Sequence, residues 1–172
     1  MAILPIIEAP DPQLRNISKP VDKVCDELRT LMDNMLETMY DAPGIGLAAI
    51  QVGVEKRIIV MDISNDDDEP FPRYFVNPEI IWVSEEMTTY KEGCLSVPEQ
   101  YADVERHAQC RVNYLDYDGN EQVLEADGLL SICIQHEMDH LEGILFIDHL
   151  SGLKRTMIVK KLTKAQKARA VL

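Results

Sequence analysis

The sequence predicts an α+β fold: a mainly antiparallel sheet packed around a central helix bearing H-E-x-x-H, with a C-terminal amphipathic helix. Three observations predict it. A helix-period segment lies near the start, short β-branched segments punctuated by turn residues fill the middle, and two helical segments close the chain. Helices segregated to the ends of a strand-rich region indicate α+β rather than alternating α/β architecture. The length of 172 residues suits one domain, residues 1–172, of which 151–172 form a basic helix.

The first helix is expected over residues 22–41. Val24, Leu28, Leu31, Met32, Met35, Leu36 and Met39 recur there at three- and four-residue spacing, and the methionines read as core filling. APGIGLAAIQVG then breaks the helix at Gly44 and Gly46. Arg57–Ile63 reads as a buried strand, and Asn65–Pro70 (NDDDEP) as an exposed turn or loop. Tyr74–Val83, Glu86–Tyr90 and Val104–Tyr114 read as further strands. Asp118-Gly119-Asn120 marks a turn into a strand at Glu121–Glu125. Asp127 stands at an N-cap position before a helix from Gly128. That helix carries Leu129, Ile132, Cys133, His136, His140 and Ile144 along one face. After Gly152 comes the last helix, with Leu153, Met157, Ile158, Leu162 and Ala165 expected inward.

Composition narrows the function classes. Apolar residues make up 46% and charged residues 27%, an ordinary globular balance. No apolar run approaches the ~20 residues of a membrane span. The opening MAILPIIEAPDPQLR lacks a basic region and a small-residue cleavage site, so a cytoplasmic protein is expected. In that compartment Cys25, Cys94, Cys110 and Cys133 are expected as thiols or metal ligands, not disulfides. The formal charge of −13 is uneven: residues 151–172 hold seven Lys or Arg and no acid. That basic tail is either a solvated helix face or a surface for an anionic partner.

QHEMDHLEG (Gln135–Gly143) holds the chemistry. Helical spacing puts His136 and His140 one turn apart on one face, where both imidazoles can reach one ion. Glu137, turned by about 100°, can stand beside the ion's open position as a general base. Two histidines need a third ligand. The position of a third histidine in H-E-x-x-H-x-x-G-x-x-H holds Phe146, and no acid follows Asp148, which argues against a metallopeptidase. The ligand should therefore come from upstream. His107 and Cys110 lie on an expected strand, whereas Cys94 sits where a strand enters a loop, a good place to present a thiolate. Cys-His-His leaves one position open for water, as catalysis requires. A closed, non-enzymatic metal site is the other class these residues allow.

Three segments in order, GIGLAAIQ (Gly44–Gln51), EGCLS (Glu92–Ser96) and QHEMDHLEG, resemble the three motifs of peptide deformylase. The resemblance implies removal of the N-formyl group from the starting methionine of new proteins, releasing formate. It implies Cys94, His136 and His140 as metal ligands, Glu137 as the proton carrier, and Gln51 with the Leu95 backbone N–H at the formyl oxygen. It implies Fe²⁺, with Zn²⁺, Ni²⁺ or Co²⁺ able to substitute. Ile45 and Gly46 are read as an edge against which an extended peptide lies by strand addition. Leu129, Ile132 and Cys133 either line a pocket for the methionine side chain or serve as core. Asp139 either orients a neighbour of the site or faces solvent, and His107 and His149 are read as structural. Tyr101 stands where many relatives carry arginine or glycine, a departure at the substrate rim. The partners implied are formyl-methionyl nascent peptides and, through the basic helix, the ribosome.

Overall fold

The computed structural model describes residues 2–171. Helix α1 spans Asp26–Asp41, β1 Gly46–Ala48, β2 Ile58–Met61, β3 Arg73–Val83, β4 Met87–Cys94, β5 Val97–His107, β6 Gln109–Leu115 and β7 Glu121–Asp127; α2 covers Gly128–Leu141 and α3 Gly152–Ala170. Five strands form an antiparallel sheet in the order β1-β2-β3-β6-β7, and β4 with β5 forms a separate hairpin. The mixed helix and antiparallel sheet agrees with the fold class expected from sequence.

Strand alternation explains the layering. In β2, Ile59 and Met61 pack with Phe75, Val112, Ile134 and Leu141 on the α2 side. Ile58 and Val60, one residue out of phase, pack with Leu28, Met32, Met35 and Met39 of α1. At β2 the sheet is thus covered on both faces. A third core joins the hairpin to α3 through Val97, Val104, Phe146, Ile158 and Leu162. Helix α2 packs against β1, β5, β6 and β7 and is buried over most of its length.

Several expectations need correction. Helix α1 begins at Asp26, so Val24 precedes it. Val104–Tyr114 is two strands, not one: the chain leaves the hairpin at His107, and at Ala108 its N–H reaches Glu86 O before β6 joins the main sheet. β4 continues past Tyr90 to Cys94, paired with β5. Asp127 holds the N-cap position of α2 without a capping bond from its side chain. Ile144 lies beyond α2, which ends in a left-handed turn at Gly143 (φ +73°) with Ile144 N–H bonded to Asp139 O. Leu153, Met157 and Ala165 are exposed; the apolar contact of α3 with the body runs along Ile158, Val159 and Leu162, a narrower stripe than its sequence suggests, while Gln166 and Arg169 add bonds to Ala9 O and Glu8.

Candidate active site

The cluster forms where α2 passes under the end of the hairpin. Strand β4 ends at Cys94, and the tight turn of Leu95 and Ser96 aims its thiol down at the helix. Cys94 Sγ, His136 and His140 bring one ligand atom each within 4.8 Å of the others. Cys94 Sγ stands 3.4 Å from His140 Nε2. An ion holding ligands tetrahedrally at about 2.0–2.3 Å would set its ligand atoms roughly 3.3–3.6 Å apart. The donor set therefore fits a divalent transition metal. Of the alternatives left open upstream, His107 and Cys110 do not join the cluster. His107 Nδ1 bonds Ser84 O, and Cys110 Sγ accepts from Ser131 Oγ in the core.

The two imidazoles have different surroundings. His136 Nδ1 is 2.9 Å from Glu92 Oε1, which fixes its proton there and leaves Nε2 free to face the cluster. Burial disfavours the charged form of His136, but bonds to Cys94 and Glu92 outweigh it and hold the pKa well above the usual value. His140 is fully buried, and burial with the neighbouring His136 and Arg106 charges pushes its pKa well down. Glu137 is 3% exposed, its Oε1 lies 4.0 Å from His136 Nε2, and its Oε2 has no hydrogen-bond partner. Burial raises its pKa to about 7 against the pull of His136 and Arg106. A carboxyl poised near neutrality beside the cluster suits general acid–base work.

Sequence reasoning missed the chain of groups behind His136. Glu92 accepts from Arg106 Nε at 2.6 Å and Nη2 at 2.9 Å. Arg106 Nη1 continues to Asp139 Oδ2 at 2.9 Å, and the same oxygen meets His149 Nε2 at 2.8 Å. Asp139 thus orients Arg106 and is not merely solvent-facing. Burial alone would raise the Glu92 pKa, but His136 and Arg106 together lower it. The available sequence signal was the spacing of Glu92 and Cys94, two apart on a strand and so on one face.

Gln51 is buried in the short 3₁₀ turn after β1. Its Oε1 accepts Ala48 N–H, and its Nε2 donates to Ser96 Oγ at 3.0 Å and to Cys94 Sγ at 3.6 Å. Ser96 was not singled out from sequence. Phe146, at the place of a third histidine, is buried and stacks on His136 with ring centroids 6.1 Å apart. It props His136 instead of joining the cluster.

A groove of about 700 Å³ leads to the cluster. Ala42–Gly46 line one wall and Tyr90–Leu95 the other, with Leu129, Ile132 and Cys133 on its floor beside His136 and Glu137. β1 is an edge strand of the main sheet, and Ile45 just before it is exposed. Gly46 lies against the Glu137 carboxyl: a Cβ there would be 2.7 Å from its Oε1. Burial, aided by the nearby Glu137 and Glu92 charges, pushes the Cys133 thiol well up, so it lines the floor as a neutral group.

Residues 3–156 match the sequence model of the polypeptide deformylase family. A peptide deformylase of Phenylobacterium zucineum is 61% identical over 168 residues, which cover 98% of this chain and 99% of that protein. One from Pelagibacter ubique is 61% identical over 172 residues, the full length of both. A crystal structure of peptide deformylase from Ehrlichia chaffeensis superposes with a TM-score of 0.94 at 41% identity, covering 98% of this chain and 99% of that one.

Proposed function

The chain belongs to the peptide deformylase family, and we propose that its chemistry is done by Cys94, His136, His140, Glu137, Gln51 and Leu95. The family's hydrolases remove the N-formyl group from nascent polypeptides, and this chain is one of them. The observation that carries the assignment is the convergence of one thiol and two imidazoles within 4.8 Å beside a buried, unbonded carboxylate oxygen. The whole chain, residues 1–172, acts as one catalytic domain.

Cys94, His136 and His140 hold the metal, with α2 as the helix that bears it. When bound, a divalent ion at such a site lowers the pKa of its water to about 7 and supplies hydroxide at neutral pH. The remaining work falls to side chains. Glu137 takes the proton of the attacking water and returns one to the leaving amine, so the C–N bond breaks as formate departs. Gln51 turns the N–H now aimed at Cys94 Sγ toward the formyl oxygen, while Ser96 and Ala48 keep its amide oriented. The Leu95 backbone N–H is the second donor. Losing one such donor typically costs ~10²–10³ in turnover. The peptide lies extended along Ile45 and Gly46, with its methionine side chain on Leu129, Ile132 and Cys133.

The family resemblance implies Fe²⁺ as the ion, and Zn²⁺, Ni²⁺ or Co²⁺ can substitute because thiolate and imidazole suit all four. An iron–thiolate site should lose activity in air and keep it when loaded with Ni²⁺; equal activity with and without air would count against iron. The substrates are formyl-methionyl nascent peptides in the cytoplasm, and no helix among the described residues is long and apolar enough to cross a membrane. The basic face of α3 docks on the ribosome. Unchanged ribosome binding after its Lys and Arg residues are neutralised would remove that partner.

The deciding experiment is formate release from a formyl-Met dipeptide by anaerobic or Ni²⁺-loaded protein, with Glu137→Ala and unformylated peptide as controls. Formate from the wild type alone is expected. Cleavage of the unformylated peptide without formate would overturn the assignment.

A further inference from the structure

One wall of the groove is a short loop, Ala42–Gly46, strung between the end of α1 and the start of β1. Loops move more than the elements they join, yet an extended peptide needs this edge held in register. What fixes it lies behind the wall. Gly44 N–H donates to Met39 O at 2.7 Å, and Asp62 N–H donates to Ile45 O at 2.9 Å. Tyr40, one residue before the end of α1, closes the ring: its hydroxyl donates to Asp62 Oδ2 at 2.5 Å. The base of the loop in α1 and its far end at β1 are thus pinned to a single residue, Asp62, which directly follows β2.

Asp62 is itself held firmly. It is buried, and a buried carboxylate needs partners. Besides Tyr40 it accepts from Ser64 N–H at 2.9 Å, from Ser64 Oγ at 2.6 Å and from Phe71 N–H at 3.1 Å. Ser64 and Phe71 flank the exposed segment Asn65–Pro70, so both ends of that segment fix the carboxylate that Tyr40 grips. Tyr40 is 44% exposed, so its ring adds little to the core and its hydroxyl carries the link. Across the groove the loop meets an apolar contact. A Cβ at Gly44 would stand 2.7 Å from Leu95 Cδ1, so the Leu95 side chain fills that space. Apolar contact is non-directional and sets no register; hydrogen bonds are directional and do.

We propose that Tyr40 and Asp62 are positioning residues for peptide binding: they hold the Ala42–Gly46 edge in the register an extended peptide needs. Their contribution therefore grows with the length of peptide laid along that edge. The proposal rests on the strand-addition pose given above, in which main-chain bonds to the edge supply affinity. A formylated methionine with nothing after it uses little of the edge, and a tripeptide uses more. A link that merely stabilised the fold would affect both substrates alike.

The test compares kcat/KM for formyl-Met-Ala-Ser and formyl-methioninamide in the wild type, Tyr40→Phe, Asp62→Asn and the double variant, with calorimetric affinities for the product peptide Met-Ala-Ser. Tyr40→Phe is expected to lower the tripeptide-to-amide ratio by roughly tenfold, within the ~10²-fold that a misplacement of about 1 Å can cost. The change should come chiefly through KM, and Met-Ala-Ser should bind more weakly by a similar factor. The double variant should fall no further than Asp62→Asn alone, because both substitutions cut the same link. Ratios within one variant cancel any general loss of active protein, and Tyr40→Phe, which removes one exposed-side hydroxyl, carries the test even if Asp62→Asn folds poorly. An unchanged ratio in Tyr40→Phe, or equal losses on both substrates, overturns the proposal. Absence of formate from both substrates with the wild type would instead count against the functional assignment, and the Met-Ala-Ser affinities would still decide the role of Tyr40 and Asp62.

Discussion

Replacing Glu92 by glutamine tests the support behind the proposed metal site. The carboxylate is 4% exposed and accepts three hydrogen bonds: two from Arg106, at 2.6 and 2.9 Å, and one from His136 Nδ1, at 2.9 Å. Glutamine keeps the shape but removes the charge and turns an N–H₂ toward one of these donors. Arg106, itself 5% exposed, is left with only Asp139 as an acid partner. Breaking a buried ion pair typically costs ~3–5 kcal/mol. The surviving Asp139 contact argues for the lower end, about 3 kcal/mol, or a fall in Tm of roughly 6–12 °C for a chain of this size. Separately, His136 loses the acceptor that fixes its tautomer and should bind metal about 10–100-fold more weakly. Thermal unfolding of the metal-free protein isolates the first effect, and Zn²⁺ competition against a chelator isolates the second. A variant that melts within 2 °C (about half a kcal/mol) of the wild type and binds Zn²⁺ within about threefold would refute the reasoning for both.

Other perturbations separate chemistry from stability. Gly46→Ala puts a Cβ 2.7 Å from Glu137 Oε1, and the carboxylate must swing aside; turnover should fall by up to ~10²-fold with little change in melting, as steady-state kinetics and calorimetry can show. Gly143→Ala combines φ +73° with a Cβ 2.4 Å from the Arg15 carbonyl oxygen. Left-handed strain of ~1–2 kcal/mol and overpacking of ~1–3 kcal/mol should lower stability by about 2–5 kcal/mol, checked by urea unfolding. Burial alone would raise the Asp62 pKa, but bonds from Ser64, Tyr40 and Phe71 lower it. Because the folded pKa lies below the unfolded one, the contribution of Asp62 is full above about pH 4 and is lost as pH falls through the folded value. The stability gap between wild type and Asp62→Asn should therefore be widest near pH 6 and shrink on acidification. A gap independent of pH would rule this out.

Much of this protein was legible in its sequence. The 3.6-residue period of Leu28, Met32, Met35 and Met39 located α1, and the i, i+4 spacing of His136 and His140 put both rings on one face of α2. Those signals are local, because backbone periodicity alone decides which side chains share a face. The ends of elements were less legible. The split at Ala108 depends on which sheet each half of the segment joins, and the exposure of Leu153 and Met157 depends on how little of α3 the body covers. The partners of Glu92, Arg106 and Ser96 were also beyond a local reading, although strand spacing put Glu92 on the face of Cys94. Their roles come from pairing across elements, Glu92 with His136 over 44 residues and Gln51 with Ser96 over 45. By itself the sequence determined the thiol and two imidazoles proposed as ligands and the helix that presents two of them. The tertiary structure decided what holds those side chains in place, because a buried polar group takes its partner from whatever chain segment packing brings within about 3 Å.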